Sequence, residues 1–353
     1  PHAPFVHLRV RSSYSLLEGA IDAKGLAARA AELGMPAVAV TDHANLFGVM
    51  QFCAAAMGQG VQPIVGALLP LALPRQPGGA SALRRERVQR PALLPVLAQN
   101  DAGYRNLMKL MSAVYLVDPD EASVTLEDLE RFGDGLILLT GGAEGPLGRL
   151  LQQGDRDGAA ALLDRLAQAY AGRLYVELQR HGEEAEALTE PAFLDLAFDR
   201  GLPIVATNDC LFLDAAMHEA HDALVCIASG QNVANEDRRH FSLDYRFKTA
   251  AEMAELFADL PEAVENTLLI ARRCAVVAPA RDPILPPFDT GAGRDEADEL
   301  RLQARAGLDQ RLAALAIQGN AATPYRERLE YELDVIVQMQ FPGYFLIVSD
   351  FIK

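Results

Sequence analysis

A barrel built from parallel βα units is the α/β fold that this sequence predicts, and three observations predict it. Short apolar runs alternate with stretches of roughly 10 to 15 residues whose apolar positions recur at helical spacing. About seven such units precede residue 210, enough to favour a closed barrel over an open sheet. Polar residues gather just after the apolar runs, where a parallel barrel carries its active face.

The first unit is Phe5–Ala20, FVHLRVRSSYSLLEGA, which opens on alternating apolar and polar residues. Period-two alternation places His7, Arg9 and Arg11 on one face and Val6, Leu8 and Val10 on the other. Cations inside a barrel are costly unless carboxylates meet them, so this strand predicts either a polar pocket wall or an exposed edge. Asp22 then caps a helix carrying Leu26, Ala27, Ala30 and Leu33, which Gly34 and Pro36 end. Ala37–His43, AVAVTDH, is an apolar run closing in polar groups, the pattern of a buried parallel strand with chemistry at its C-terminal end.

The cycle continues with a helix near Leu46–Gly58, strands at Pro63–Leu71 and Ala92–Ala98, a helix at Gly103–Tyr115 and a strand at Gly135–Leu139. Helices follow up to Ala171, then a strand at Leu174–Gln179, a helix at Glu184–Arg200 and a strand at Pro203–Asp209. The barrel rule collects Asp42, His43, Gly141, Gly142, His181 and Asp209 on one rim, where His7, Arg9, Arg11 and Glu18 complete a polar cleft. Beyond Asp209, helices are expected at Ala215–Ile227, Ala250–Phe257, Asp295–Leu315 and Tyr325–Gln338, with Leu285–Phe288, LPPF, punctuating the end of the barrel unit. The last residues, FPGYFLIVSDFIK, are apolar and stop without a cap or polar tail, as in a truncated chain.

Composition narrows the classes. The 353 residues are 50% hydrophobic with no apolar run of about 18 residues that would span a bilayer. Cys53, Cys210, Cys226 and Cys274 are far apart and form no CxxC pair, which points away from a disulfide framework or zinc knuckle and towards the cytosol. A net charge of −16 opposes tight binding to a phosphate backbone by the chain as a whole. Arg84, Arg85, Arg87 and Arg90 in Pro74–Pro91 are the local exception, read as a solvated insertion in preference to a phosphate-contacting loop.

The segments FVHLRVRSSYSLLEGA, AVTDHANLFG, VQPIVGALLPL, LAQNDAGYRNL, YVELQRHG, IVATND and YELDVIVQMQFPGYFLIVSDFI resemble, in order and over essentially the whole chain, the N-terminal part of bacterial DNA polymerase III alpha subunits, the C-family replicative polymerases. The resemblance implies a PHP domain, a distorted TIM-like (β/α)7 barrel, over residues 1–285, and a mainly helical start of the polymerase core, leading into the palm, over 286–353. It implies magnesium for the full-length polymerase, bound by carboxylates beyond Lys353, so that this stretch alone is not expected to polymerise. The remainder of the polymerase and the proofreading exonuclease subunit are the implied partners, with DNA reached only through the whole enzyme.

Metal-binding PHP relatives hold a trinuclear cluster, and its ligand positions transfer one at a time. The two histidines of the first strand fall on Arg9 and Arg11, and the acidic residue of the following turn falls on Glu18. His43 is retained, whereas the next glutamate is Leu68, the next histidine Leu93 and the cysteine Gly142. Asp209 is retained and the last histidine is Leu211. Only Glu18, His43 and Asp209 keep donors, and arginine has no lone pair to offer a metal. The expectation is a structural salt-bridge cluster with no metal, pairing Arg9 and Arg11 with Glu18, Asp42 or Asp209.

Plainer accounts stand beside these. His43 reads better as a hydrogen-bonded rim histidine than as a lone ligand, His181 lacks an evident carboxylate partner, and Asp209 suits a cap as well as an ion pair. His218 and His221 share a helical face near Asp214 and Asp222 but sit among packing residues, and Asp334, Tyr344 and Asp350 are ordinary positions. The leading reading is a catalytically inactive, metal-free scaffold for the polymerase core and its exonuclease partner. The alternative is a residual metal-dependent phosphoesterase or 3′–5′ exonuclease using His7, Glu18, His43, His181 and Asp209; a third is an anion pocket at Arg9 and Arg11.

Overall fold

The computed structural model describes residues 2–72, 91–116, 122–235, 237–282, 284–291 and 293–353, which divide into two units, Pro1–Ala278 and Pro279–Lys353. The expected insertion, with Arg84, Arg85, Arg87 and Arg90, lies outside the described residues.

The first unit winds as α1 (Ala23–Glu32), β1 (Ala37–His43), α2 (Val49–Gly58), β2 (Gln62–Leu71), β3 (Ala92–Ala98), α3 (Asp101–Leu116), α4 (Leu126–Arg131), β4 (Leu136–Leu139), α5 (Pro146–Gln152), α6 (Arg156–Ala169), β5 (Leu174–Leu178), α7 (Glu184–Asp199), β6 (Ile204–Ala206), α8 (His218–Ser229), α9 (Ala250–Leu256) and α10 (Pro261–Arg273). Local chemistry sets the ends: Asp22 accepts from Lys24 N and Gly25 N to start α1, and Thr125 with Asp128 and Thr249 with Glu252 form capping boxes for α4 and α9.

The sheet order is β1-β2-β3-β4-β5-β6. β1 pairs parallel with β2, and β4, β5 and β6 pair parallel in turn, but β3 is antiparallel to both β2 and β4. This departs from the uniformly parallel winding the sequence predicts. All seven residues of β3 are buried, so its apolar run looks the same in either direction. Its reversal brings its first turn, not its last, to the rim, which is why Leu93 reaches the cleft.

The extended segment before α1 closes the ring between β1 and the chain after β6. Ala39 N donates to His7 O at 2.9 Å and Thr41 N to Val10 O at 2.8 Å, while Arg11 N donates to Cys210 O and Cys210 N to Arg9 O. Two steps along β1 thus match three along the first segment, the signature of a bulge carrying one extra residue. The bulge flips the alternation: Val6 and Leu8 join the inner apolar cluster of Ala37, Ala39, Ile64, Leu97, Ile137, Leu139 and Val205, while Val10 sides with Phe5 in the outer, helix-facing cluster. The expectation that His7 shares a face with Arg9 and Arg11 is therefore corrected. His7 lies on the outer side between Phe5 and Phe247, its Nε2 2.7 Å from Lys248 O.

The helix α10, unpredicted from sequence, covers the other end of the barrel. Val6 N donates to Thr267 Oγ1, Gln62 Nε2 donates to Ala271 O and Cys274 O, and Ile270, Ala271 and Cys274 join the inner cluster.

The second unit holds α11 (Glu296–Ala314), α12 (Thr323–Gln338) and α13 (Pro342–Ile352) around Leu300, Leu333 and Leu346. Among the described residues no single helix is long and apolar enough to cross a membrane.

Candidate functional site

The rim of the barrel presents a cleft floored by charge. Arg9 is fully buried: its NH1 lies 3.5 Å from Glu177 Oε1 and 3.4 Å from Gly141 O, and its NH2 lies 3.3 Å from Asp209 Oδ2. Arg11, 5% exposed, grips Asp209 in a fork, with Nε 3.0 Å from Oδ1 and NH2 on Oδ2. Its NH1 donates to Glu18 Oε2 at 2.8 Å, and NH2 lies 3.9 Å from Glu144 Oε2. Glu18 Oε1 in turn accepts from His43 Nδ1 at 2.9 Å. The residues that retain metal-binding donors, Glu18, His43 and Asp209, are thus joined through one guanidinium, and both oxygens of each carboxylate are engaged.

The electrostatics follow from burial and pairing. Burial works against the charged form of Asp209, but the guanidiniums of Arg11 and Arg9 outweigh it and hold the carboxyl well below the ordinary range. Glu18 is likewise opposed by burial yet drawn down to about 2 by His43 and Arg11. Burial disfavours the Arg9 and Arg11 cations, and Asp209 with Glu177 or Glu18 more than restores them. Asp209, Glu18, Arg9 and Arg11 are thus each held charged by their neighbours.

The remaining predicted residues fall out as follows. Asp42 takes no part in the arginine pairing expected of it: it accepts from Ser12 N, Ser12 Oγ and Ser15 Oγ, each at 2.7 Å, and burial pushes its carboxyl up. It fixes the turn that carries Glu18. His181 is 3% exposed, and it does have a carboxylate: Nδ1 lies 2.6 Å from Glu186 Oε1, Nε2 accepts from Asp209 N at 3.2 Å, and the ring stacks on Tyr245. Leu93 and Leu211 line the cavity with Arg11, Glu18 and His43, and Leu68 is fully buried in register with His43. Gly141 and Gly142 have φ of +86° and +60°, and a Cβ would stand 2.1 Å from Leu93 O at the first and 2.6 Å from Gln179 Oε1 at the second. The backbone at 142 therefore suits glycine and not a cysteine ligand. His218 and His221 donate to Phe241 O and Glu18 O, respectively, and do not converge. Among the described residues no group of three or more His, Cys, Asp and Glu side chains is arranged to hold a metal ion.

Sequence reasoning missed Glu177, Glu144 and Glu186. Glu177, fully buried, accepts from Gly141 N at 2.9 Å and Thr207 Oγ1 at 2.5 Å while facing Arg9. A lone glutamate inside the apolar strand LYVEL was the available signal, since an interior carboxylate demands a partner.

A wound barrel with this first-strand, TDH and ND geometry defines the class, a PHP domain. The profile of the PHP domain family matches residues 7–181, and that described as the bacterial DNA polymerase III alpha NTPase domain matches residues 298–353. The chain belongs to the DNA polymerase III alpha subunit family. It is 48% identical over 351 residues to the subunit of Caulobacter vibrioides, and over 360 residues 41% identical to that of Escherichia coli K12 and 40% to that of Pseudomonas aeruginosa. Each alignment covers 99% of this chain and 30% of the relative, so the chain spans about a third of the length of these curated relatives. Among solved structures, an amidohydrolase from Chromobacterium violaceum with bound sulfate and no metal aligns at a TM-score of 0.38 and 16% identity, covering 58% of this chain and 86% of that one. A putative metal-dependent phosphoesterase from Bifidobacterium adolescentis aligns at 0.34 and 11%, with the same coverage.

Proposed function

We propose that this region is the non-catalytic, metal-free PHP portion of a replicative polymerase alpha subunit, acting in the cytoplasm as a scaffold for the polymerase core and for a proofreading exonuclease partner. One observation carries the reading: Arg9 and Arg11, buried where metal-binding relatives place histidines, have their guanidiniums on Asp209. A PHP hydrolase would lower the pKa of metal-bound water and clamp phosphate oxygens with its ions. Here fixed guanidiniums supply positive charge instead, and they have no lone pair for a metal and no Lewis acidity to acidify water. Leu93 and Leu211 further line the cleft with groups that cannot ligate. The net charge of −16 suits protein partners better than DNA, which the polymerase core of the whole subunit, using magnesium, would bind.

The test is elemental analysis of the purified chain after equilibration with zinc or manganese, paired with hydrolysis of a generic phosphodiester under the same ions. Substoichiometric metal and no turnover above the protein-free blank are expected. Stoichiometric metal with turnover that disappears in Asp209→Asn would replace the scaffold reading with the residual phosphoesterase or exonuclease.

A further inference from the structure

The chain between α8 and α9 passes back over the rim, and residues 237–245 carry side chains across the cleft. Arg239 NH2 lies 2.8 Å from Glu144 Oε1, in the turn that follows β4, and its guanidinium stacks on Phe241 at 4.3 Å from the ring centroid. Next to it, Arg238 holds Asp222 of α8 through two contacts of 2.6 Å. Phe241 O accepts from His218 Nε2 at 2.8 Å, and Tyr245 stacks on His181 with centroids 4.0 Å apart and planes within 9°. Two cavities result, of about 790 Å³ and about 420 Å³, and both are walled by Glu144, Arg149, Arg239 and Phe241. The same ion pair thus partitions what would otherwise be one continuous groove along the rim.

We propose that residues 237–245 are a latched strap that closes the cleft from within the chain, with the Arg239–Glu144 pair as the latch and Tyr245 as the fixed hinge end. The two ends are secured unequally. At the hinge, Leu211 N donates to Tyr245 O, Asn208 Nδ2 to Arg246 O and Phe247 N to Phe212 O, all within the barrel wall. At the latch, the Arg239 and Glu144 side chains remain 36% and 45% exposed, so that pair is weak enough to open without disturbing the barrel, while Arg238 stays anchored on Asp222 of α8. Opening would merge the two cavities and release Arg239 and Glu144 to a ligand or partner. This goes beyond the scaffold reading and stands on contacts alone, whether or not a metal enters the cleft.

Limited digestion of the whole 353-residue chain with chymotrypsin reads the latch directly, through the cut after half-buried Phe241. In Arg239→Gln, and separately in Glu144→Gln, the rate of that cut is expected to rise about two- to fivefold, the range of a half-exposed ion pair, while the barrel strands stay intact. High salt should reproduce the rise in the unmodified chain, and Arg239→Lys should restore part of the resistance. An unchanged rate of cleavage after Phe241 in Arg239→Gln overturns the proposal, as does a rise shared equally by cuts within the barrel strands.

Discussion

The same fork of two hydrogen bonds holds Arg11 to Asp209 in the first unit and Arg305 to Glu330 in the second, yet the side chains are 6% and 5% exposed in one case and 52% and 43% in the other. The difference teaches what each pair is for. Around Arg305, water solvates either partner left alone, and the pairs of α11 with α12 act as a solvated surface. Around Arg11, removal of a partner strands a charge under Glu18, Glu144 and the barrel wall. Geometry is equal; burial decides the consequence.

The largest effect should therefore come from Arg9→Ala or Arg11→Ala, each expected to destabilise by about 3–5 kcal/mol because it takes away one of the two guanidiniums that hold buried Asp209 charged. Melting measured by calorimetry checks this, and an unshifted transition rejects the bracing role. The double replacement Arg11→Leu with Asp209→Leu sharpens the point: it should cost less than Arg11→Ala alone, since opposite charges leave together and Arg9 keeps Glu177 while Glu18 keeps His43.

A smaller, pH-dependent effect comes from His7. Burial lowers its pKa from 6.5 to about 4, so an unfolded chain takes up a proton that the folded one refuses across that window. Stability should be fully present above pH 6.5 and fall as pH drops towards 4, by at most about 1.4 kcal/mol per unit, with His221 acting in the same direction. The carboxylates of Glu18 and Asp209, held low, contribute their losses only at more acid pH. Denaturant unfolding at stepped pH should show the slope flattened in His7→Gln; an identical slope would remove His7 from the account. The smallest effect is expected of Arg305→Ala, no resolvable shift in melting temperature, and a shift matching that of Arg11→Ala would erase the contrast between the units.

Much of this was legible in the residues. Apolar runs and caps located β1, β2, β3 and β5 and the helix behind Asp22 to within a residue or two, because burial periodicity and N-cap chemistry are local. The order of βα units and the polar rim followed from the same local signals, which brought Arg9, Arg11, Glu18, His43 and Asp209 together but misplaced His7 and the partners of Asp42. The partners of those residues did not follow. Glu177, Glu144 and Glu186 lie far from Arg9, Arg11 and Arg239 along the chain or look like ordinary strand and helix residues, and His181 appeared unpartnered until α7 brought Glu186 back to it.

The sequence by itself determined which side chains are present: two arginines and three leucines, with a glycine, where donors would be, and enough carboxylates to answer the cations. Only the tertiary structure decided which carboxylate answers which cation, that β3 runs backwards, and that a single extra residue between His7 and Val10 turns His7 out of the cleft and Arg9 and Arg11 into it. The reason is physical: side-chain identity and periodicity are local properties, whereas strand direction, register and charge pairing are settled by which distant segments pack together.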